Sequence, residues 1–313
     1  MRAIRIDKHG GPEQLELQDV PVAPKKENEV TLRVDLAGVN FIDVYHRRGQ
    51  YQIPLPSGIG IEGIGTSESG ERFFWLSAMG SYAEEINIPA SALTPVPSTS
   101  ISDEELLPLL CQGLTAHYLM DSAYAVREGD IALVTAAAGG VGLILIQLLK
   151  AQGASVIALA SSLDRAAMAR EHGADFAGTY EDMTELTSQV TRSRGVDVVY
   201  DSVGKDTFDQ AILTLAQGGM FVLYGGASGP VPPFDLMRLN SRSLAIRRPT
   251  LASYTTTMQE RSRRLDALLN LKNAGRLHYP SAKVFPLAEA ANAHQLLESR
   301  KYSGKIGLAP WKI

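Results

Sequence analysis

The stretch "ALVTAAAGGVGLILIQLLKAQGASVIALASS", Ala132 to Ser162, decides the fold. A short apolar run leads into a turn of small residues, the turn opens a long apolar helix, and a second apolar run follows. Ala137, Gly139 and Gly142 occupy the three positions of a G-x-G-x-x-G pattern, with alanine at the first. Glycine at 139 lets the backbone approach a pyrophosphate, and Gly142 lets the helix lie close on the strand. The helix N-terminus adds free N–H groups and a partial positive charge. The expected phosphate contacts are therefore Ala138, Gly139, Gly140 and Val141. A plain tight turn is the alternative, and the strand before and helix after it favour a dinucleotide.

The second strand bears on which dinucleotide. An NAD site usually carries an acid about 20 residues on, gripping the ribose 2′-hydroxyl. Here the strand ends "ALASSLDR", with Ala160 and Ser161 at its tip. Ser161 and Ser162 can hydrogen-bond a 2′-phosphate and Arg165 can pair with it, which favours NADPH. Against this, the serines can simply cap the next helix, Arg165 can be a solvated charge, and Asp164 repels a phosphate.

Working outward, residues 1 to about 110 read as short strands and turns, as in "EVTLRVDLAGVN" and "YAEEINIP". A helix is expected from about Leu106 through "LLPLLCQGLTAHYLMDSAY". Strands are expected at Ile131–Ala136, Ser155–Ala160, Asp197–Asp201, Met220–Tyr224 and Ser243–Arg247, with helices between the earlier ones. That alternation is the mark of a doubly wound parallel sheet, an α/β fold. A charged helix follows over Thr256 to Ala274, then a final helix and strand.

The chain has 313 residues, enough for two domains, and 45% apolar with 20% charged residues is ordinary globular composition. A net charge of -4 gives no overall drive toward nucleic acid or an anionic membrane. No run approaches a membrane span, and "MRAIRIDKHGGPEQLEL" resembles neither a secretory signal nor a transit peptide. One cysteine, Cys111, excludes an intrachain disulfide, and the expected location is cytoplasmic. Basic "QERSRRLDALLNLKNAG" reads as a solvated helix face, since Glu260 and Asp266 interrupt its charges.

The stretches "HGGPEQLEL", "GVNFIDVYHRRGQY", "LPSGIGIEG", "GLTAHYL", "AAAGGVG", "VVYDSVG", "YGGASGPV" and "RRPTLASY" span nearly the whole chain. With them the sequence resembles the quinone oxidoreductase (zeta-crystallin-like) branch of the zinc-independent medium-chain dehydrogenase/reductase superfamily. The resemblance implies a Rossmann NADPH-binding domain over 114–250, inserted into a GroES-like, mostly-β catalytic domain formed by 1–113 and 251–313. It implies NADPH-dependent reduction of quinones and a homodimer. It places Asn40 and Thr115 at the nicotinamide end and Tyr45 and Tyr51 on the substrate cleft. It also places Tyr180 near the adenine phosphate, Ser202, Gly204, Gly225 and Ala227 at strand ends lining the cofactor cleft, and Arg248 and Pro249 on a loop near the nicotinamide. Reduction of activated C=C bonds in enals, enones or enoyl thioesters uses the same geometry and is the alternative. A non-catalytic NADPH- or RNA-binding protein, also known in this family, is a further one.

Zinc relatives share the architecture, and catalytic zinc needs three protein ligands. Where those relatives place a cysteine this chain has Asn40, and where they place a histidine it has Ile61, before Glu62. His9, His46, His117, His172, His278 and His294 show no ligand spacing, so no metal is expected. For Asp43 and Arg47 an internal ion pair or cap stands beside any role at the site. Two departures from the family stand out. The segment around 64–80 is short, which is expected to leave Phe73, Phe74 and Trp75 bordering a changed surface near the cleft. Gln112 stands where many relatives carry lysine.

Overall fold

The computed structural model describes residues 1–98, 100–299 and 301–312. The chain forms two units: Met1–Cys111 with Thr255–Leu265 and Pro280–Ile313, and Gln112–Tyr254 with Asp266–Tyr279. The strands are β1 (Arg2–Ile6), β2 (Glu16–Asp19), β3 (Glu29–Val39), β4 (Ser57–Gly58), β5 (Glu62–Ser67), β6 (Arg72–Trp75), β7 (Glu85–Pro89), β8 (Thr94–Pro95), β9 (Ile131–Val134), β10 (Ser155–Ala160), β11 (Phe176–Thr179), β12 (Val196–Asp201), β13 (Leu215–Leu223), β14 (Ala245–Arg247), β15 (Lys283–Pro286) and β16 (Ile306–Ala309). The helices are α1 (Phe41–Arg47), α2 (Asp103–Leu106), α3 (Cys111–Tyr118), α4 (Gly140–Ala151), α5 (Leu163–Glu171), α6 (Met183–Thr191), α7 (Phe208–Ile212), α8 (Leu251–Tyr254), α9 (Met258–Asn273) and α10 (Ala290–Ser299).

In the second unit six parallel strands lie in the order β11-β10-β9-β12-β13-β14. This is the 3-2-1-4-5-6 order of the doubly wound dinucleotide fold, whose ligands bind where the order reverses, outside the carboxyl ends of the strands. The central strands read as continuous apolar runs because helices cover both faces. Leu133, Ile157, Leu159, Val199 and Phe221 are all fully buried. β10 falls where the sequence places it. β9 stops at Val134, and β14 starts only at Ala245, because Ser243 is held left-handed at φ 50 as the preceding 3-10 helix ends. β13 begins earlier than expected, at Leu215.

The first unit is mostly β. A seven-stranded sheet runs β15-β16-β3-β5-β6-β8, with β7 also paired to β3, and a second sheet holds β2-β1-β4. Ile4, Leu32, Val34, Ile59, Trp75, Tyr82 and Leu308 lie in its core. The expected helix from Leu106 is broken. α2 passes into a 3-10 turn, Leu107–Leu109, around Pro108, and α3 starts afresh at Cys111. Proline lacks the N–H and crowds the preceding turn, which accounts for the break.

The expectation for Phe73, Phe74 and Trp75 is corrected. Phe74 and Trp75 are fully buried and Phe73 packs against the first core. The Trp75 indole lies against Gly63, where a Cβ would strike it, and donates Nε1–H to Ser81 Oγ at 2.8 Å. These residues are core, and the short segment gives no ground for a changed substrate surface. Among the described residues no helix is long and apolar enough to cross a membrane.

Candidate functional site

The turn after β9 is built for close backbone approach. Ala136 adopts a left-handed φ of 47, and Gly139 N–H donates back to Ala136 O at 2.8 Å. Gly139 is the N-cap of α4, without a side-chain cap, and the first helical bond runs from Leu143 N to Gly139 O at 2.9 Å. The N–H groups of Gly140, Val141 and Gly142 thus precede the helical ladder and are donors for an anion. A Cβ at Gly142 would come within 2.6 Å of Ala137 O, and one at Gly140 would run into the Gln112 side chain. Gly142 is required by space, whereas at Gly140 only the movable end of the Gln112 side chain stands in the way. The Gln112 side chain lies beside Gly140 within the same unit.

The Arg165 guanidinium stands beside this turn, with Nη2 donating to Ala138 O at 2.9 Å. Ser162 is the N-cap of α5, its Oγ accepting from Arg165 N, while Ser161 is exposed. The structure thus brings Ala138, Gly139, Gly140, Val141 and Arg165 together, with the two serines next along the chain. These residues fit the phosphates of NADPH: backbone donors open to an anion, glycines a side chain would block, and a guanidinium within reach.

A second cradle follows β12. Buried Asp201 organises it: Oδ1 accepts from Val203 N (2.6 Å), Gly204 N (3.0 Å) and Thr135 Oγ1 (3.1 Å), and Oδ2 from Thr207 Oγ1 (2.6 Å). Burial pushes its carboxyl up, against these four bonds. The turn it shapes carries Ser202 and Gly204, the latter at φ 88. Ala227 N donates to Ser202 O at 3.0 Å, and a Cβ at Gly225 would strike the Ser202 backbone. Ser202, Gly204, Gly225 and Ala227 are thus one structure, and Asp201 is the residue sequence reasoning missed there. Tyr180 packs half-buried on the second core, and Thr115 is buried on α3. Arg248 is exposed, donating to the carbonyl of buried Pro249.

In the first unit Asn40 leads into α1, buried at 8% exposure. Its Nδ2 donates to Glu62 Oε2 at 2.8 Å, and its Oδ1 accepts from Lys305 Nζ at 2.7 Å. Tyr45 and Tyr51 meet edge to face, centroids 5.5 Å apart, joined also by Tyr51 N to Tyr45 O at 3.2 Å. Cys111 contributes its N–H, 2.6 Å from Glu62 Oε1, and burial pushes its thiol up to about 12.

Asp43 and Arg47 do not pair with each other. Asp43 Oδ2 accepts from Asn40 N–H (2.8 Å) and Tyr82 OH (2.9 Å). Tyr82 meets His294 Nε2 at 3.1 Å, and His294 Nδ1 meets Arg47 Nη1 at 2.9 Å. Arginine has no acceptor, so Nδ1 carries the lone pair, Nε2–H donates to Tyr82, and the tyrosine donates to Asp43. Every bond in this buried chain has one direction. Burial, then the guanidinium, holds His294 down to about 3. Burial pushes Asp43 up to about 7, and its Oδ1 has no partner among the described residues.

These two shifts act oppositely on stability. Folded Asp43 binds its proton more tightly than the unfolded group at 3.8, so its contribution is present below about 4 and is lost as pH rises to about 7. His294 is depressed from 6.5, so its contribution grows as pH rises from about 3 to 6.5. Asp43→Asn removes the first effect only. Relative to wild type, the variant should gain stability between pH 5 and pH 8, read from urea melts. A difference that does not change with pH would refute this assignment.

The same residues decide how the site treats a metal. The Lys305 ammonium bonds both Asn40 and Glu62, so the donors a dication would use already hold a cation. Among the described residues no group of three His, Cys, Asp or Glu side chains could hold a metal ion. The donor set does not fit zinc.

A family model described as zinc-binding dehydrogenase matches residues 140–269. A quinone oxidoreductase of Pseudomonas aeruginosa is 37% identical over 326 residues, covering 99% of each chain. A mycobacterial protein solved in complex with NADPH superposes with a TM-score of 0.93 at 39% identity, covering 99% of this chain and 100% of that one. The Escherichia coli quinone oxidoreductase complexed with NADPH gives 0.94 at 35% identity, covering 99% and 100%. A likeness that runs end to end, over a mostly-β unit and a parallel sheet of 3-2-1-4-5-6 order, leaves one conclusion: the chain belongs to the quinone oxidoreductase branch of the medium-chain dehydrogenase/reductase superfamily.

Proposed function

We propose that this chain is an NADPH-dependent quinone oxidoreductase that works without a metal. The observation that carries the reading is the combination of an open glycine turn flanked by Arg165 with a buried amide, Asn40, whose partners include a fixed cation. The end-to-end likeness to quinone oxidoreductases and to NADPH complexes supports it. Residues 114–250 are assigned to cofactor binding, and 1–113 with 251–313 to the substrate.

Bound NADPH supplies the hydride. The chain's own tasks are to bind and to orient. Backbone N–H groups at 140–142 hold the pyrophosphate, Arg165 with Ser161 and Ser162 takes the 2′-phosphate, and Tyr180 stands near the adenine phosphate. Ser202, Gly204, Gly225, Ala227, Thr115, Arg248 and Pro249 serve the nicotinamide end. Tyr45 and Tyr51 offer flat apolar faces to a quinone ring, and Asn40 donates to its oxygen. A quinone is already electrophilic, so proximity and orientation are the main contribution and no Lewis acid is needed. The electron pair arriving on the quinone ends on oxygen, which takes its proton from water.

The protein is assigned to the cytoplasm, in keeping with its single cysteine. A homodimer is assigned on β14, the edge strand of its sheet among the described residues, and on the 3-10 segment before it in the chain, where Leu236 and Met237 are about 70% exposed. One preparation, treated with a strong chelator, tests the reading. It should oxidise NADPH with a quinone panel at undiminished rate, outpace an enone panel, and sediment as two subunits. Activity lost on chelation and restored by zinc would refute the metal-free mechanism, enone preference the substrate class, and a single-subunit species the dimer.

A further inference from the structure

Three adjacent strands bring together charges that the sequence scatters. Gly307 of β16 pairs with Gly38 of β3, and Gly38 pairs with Glu62 of β5. Lys305, just before β16, reaches over Gly38, and its Nζ lies 2.5 Å from Glu62 Oε2. Both side chains are fully buried. A Cβ at Gly38 would overlap the Glu62 carboxylate and stand 3.0 Å from the ammonium, so this glycine is the opening through which the pair meets.

A buried ion pair is weak evidence for stability, because apolar replacements of similar volume are often neutral or stabilising. What this pair does is orient Asn40. An ammonium only donates and a carboxylate only accepts, so Oδ1 must face Lys305 and Nδ2 must face Glu62. The amide cannot flip. One Nδ2–H goes to Glu62, and the second has no partner among the described residues, which leaves it as the group's remaining donor. The ammonium on Oδ1 also draws charge from the amide and strengthens that donor.

We propose that Lys305, with Glu62, is a positioning residue for reduction, locking Asn40 as a polarised donor to a substrate carbonyl oxygen that becomes anionic as the hydride's electron pair arrives. The inference rests on Asn40 facing the substrate, as proposed above. It sets the substrate class: an acceptor whose carbonyl oxygen gains charge.

The test compares Lys305→Met, the charge-balanced double variant Glu62→Gln/Lys305→Met, and Asn40→Ala, each with a quinone in steady state, with NADPH affinity by fluorescence titration and with a thermal melt. The double variant leaves no lone buried charge and so covers the case in which Lys305→Met alone does not fold. The quinone kcat should fall about tenfold to a hundredfold, as when an outer hydrogen-bond partner of a site is removed, while KM and NADPH affinity stay within about twofold. That split is one a general loss of structure would not give. A folded double variant with wild-type kcat overturns the inference, and so does a loss of NADPH affinity equal to the loss of kcat. If Asn40→Ala itself keeps full kcat, the reading of Asn40 fails as well. If only the double variant does, that reading stands.

Discussion

Gly139→Val should abolish NADPH binding and leave the fold almost unchanged. The residue sits at φ -82 and ψ 166, an extended conformation that valine adopts readily, and a Cβ there would lie 3.0 Å from Ala136 O, tight but tolerable. The cost to stability should stay within about 1 kcal/mol. The branched side chain would stand where a pyrophosphate must touch the backbone. Losing two hydrogen bonds to a charged phosphate costs about 3–6 kcal/mol, or roughly a hundredfold to ten-thousandfold in affinity. Fluorescence titration with NADPH reads the loss and a thermal melt reads the fold. Wild-type affinity would place the nucleotide elsewhere. Gly142→Ala is a useful contrast, since its Cβ would collide with two backbone carbonyls and should damage the turn itself.

Arg47→Met carries the largest expected cost to stability. The guanidinium is fully buried, bonds Gly10 O (3.1 Å) and His294 Nδ1, and reaches both oxygens of Glu298 at 2.9 Å. Methionine fills much of the volume but removes all four of these bonds, and of their acceptors Arg48 still reaches only a Glu298 oxygen. Breaking a buried pair by removing one partner typically costs about 3–5 kcal/mol, and urea denaturation measures it. A loss below about 1 kcal/mol would show that water or Arg48, which also reaches Glu298, takes over the partners.

What could be read from the sequence follows from how local each feature is. The turn at 136–142 lies within one strand–turn–helix unit, and its small residues are required by contacts a few positions away. β10 was legible as a continuous apolar run. β11, "FAGT", was not, because alanine and glycine carry little β preference and its pairing with β10 defines it. Trp75 and Phe74 read as surface beside a shortened segment. Their burial depends on Gly63 and on the neighbouring strands, none of which is visible as a pattern. Arg47 and Asp43 were legible as interior charges, but the Arg47 partner Glu298 is 251 positions away. Lys305 gave a single faint signal, a charge at the entry to an apolar strand.

Separation along the chain also sets the order in which these contacts form. Lys305 meets Asn40 across 265 positions and Glu62 across 243, whereas the glycine turn closes within a dozen residues. Long-range contacts repay their loop-closure entropy late, so they form slowly. Until β16 arrives, Glu62 has no counter-charge and Asn40 no fixed orientation. A refolding chain should therefore regain the nucleotide-binding turn first and turnover last.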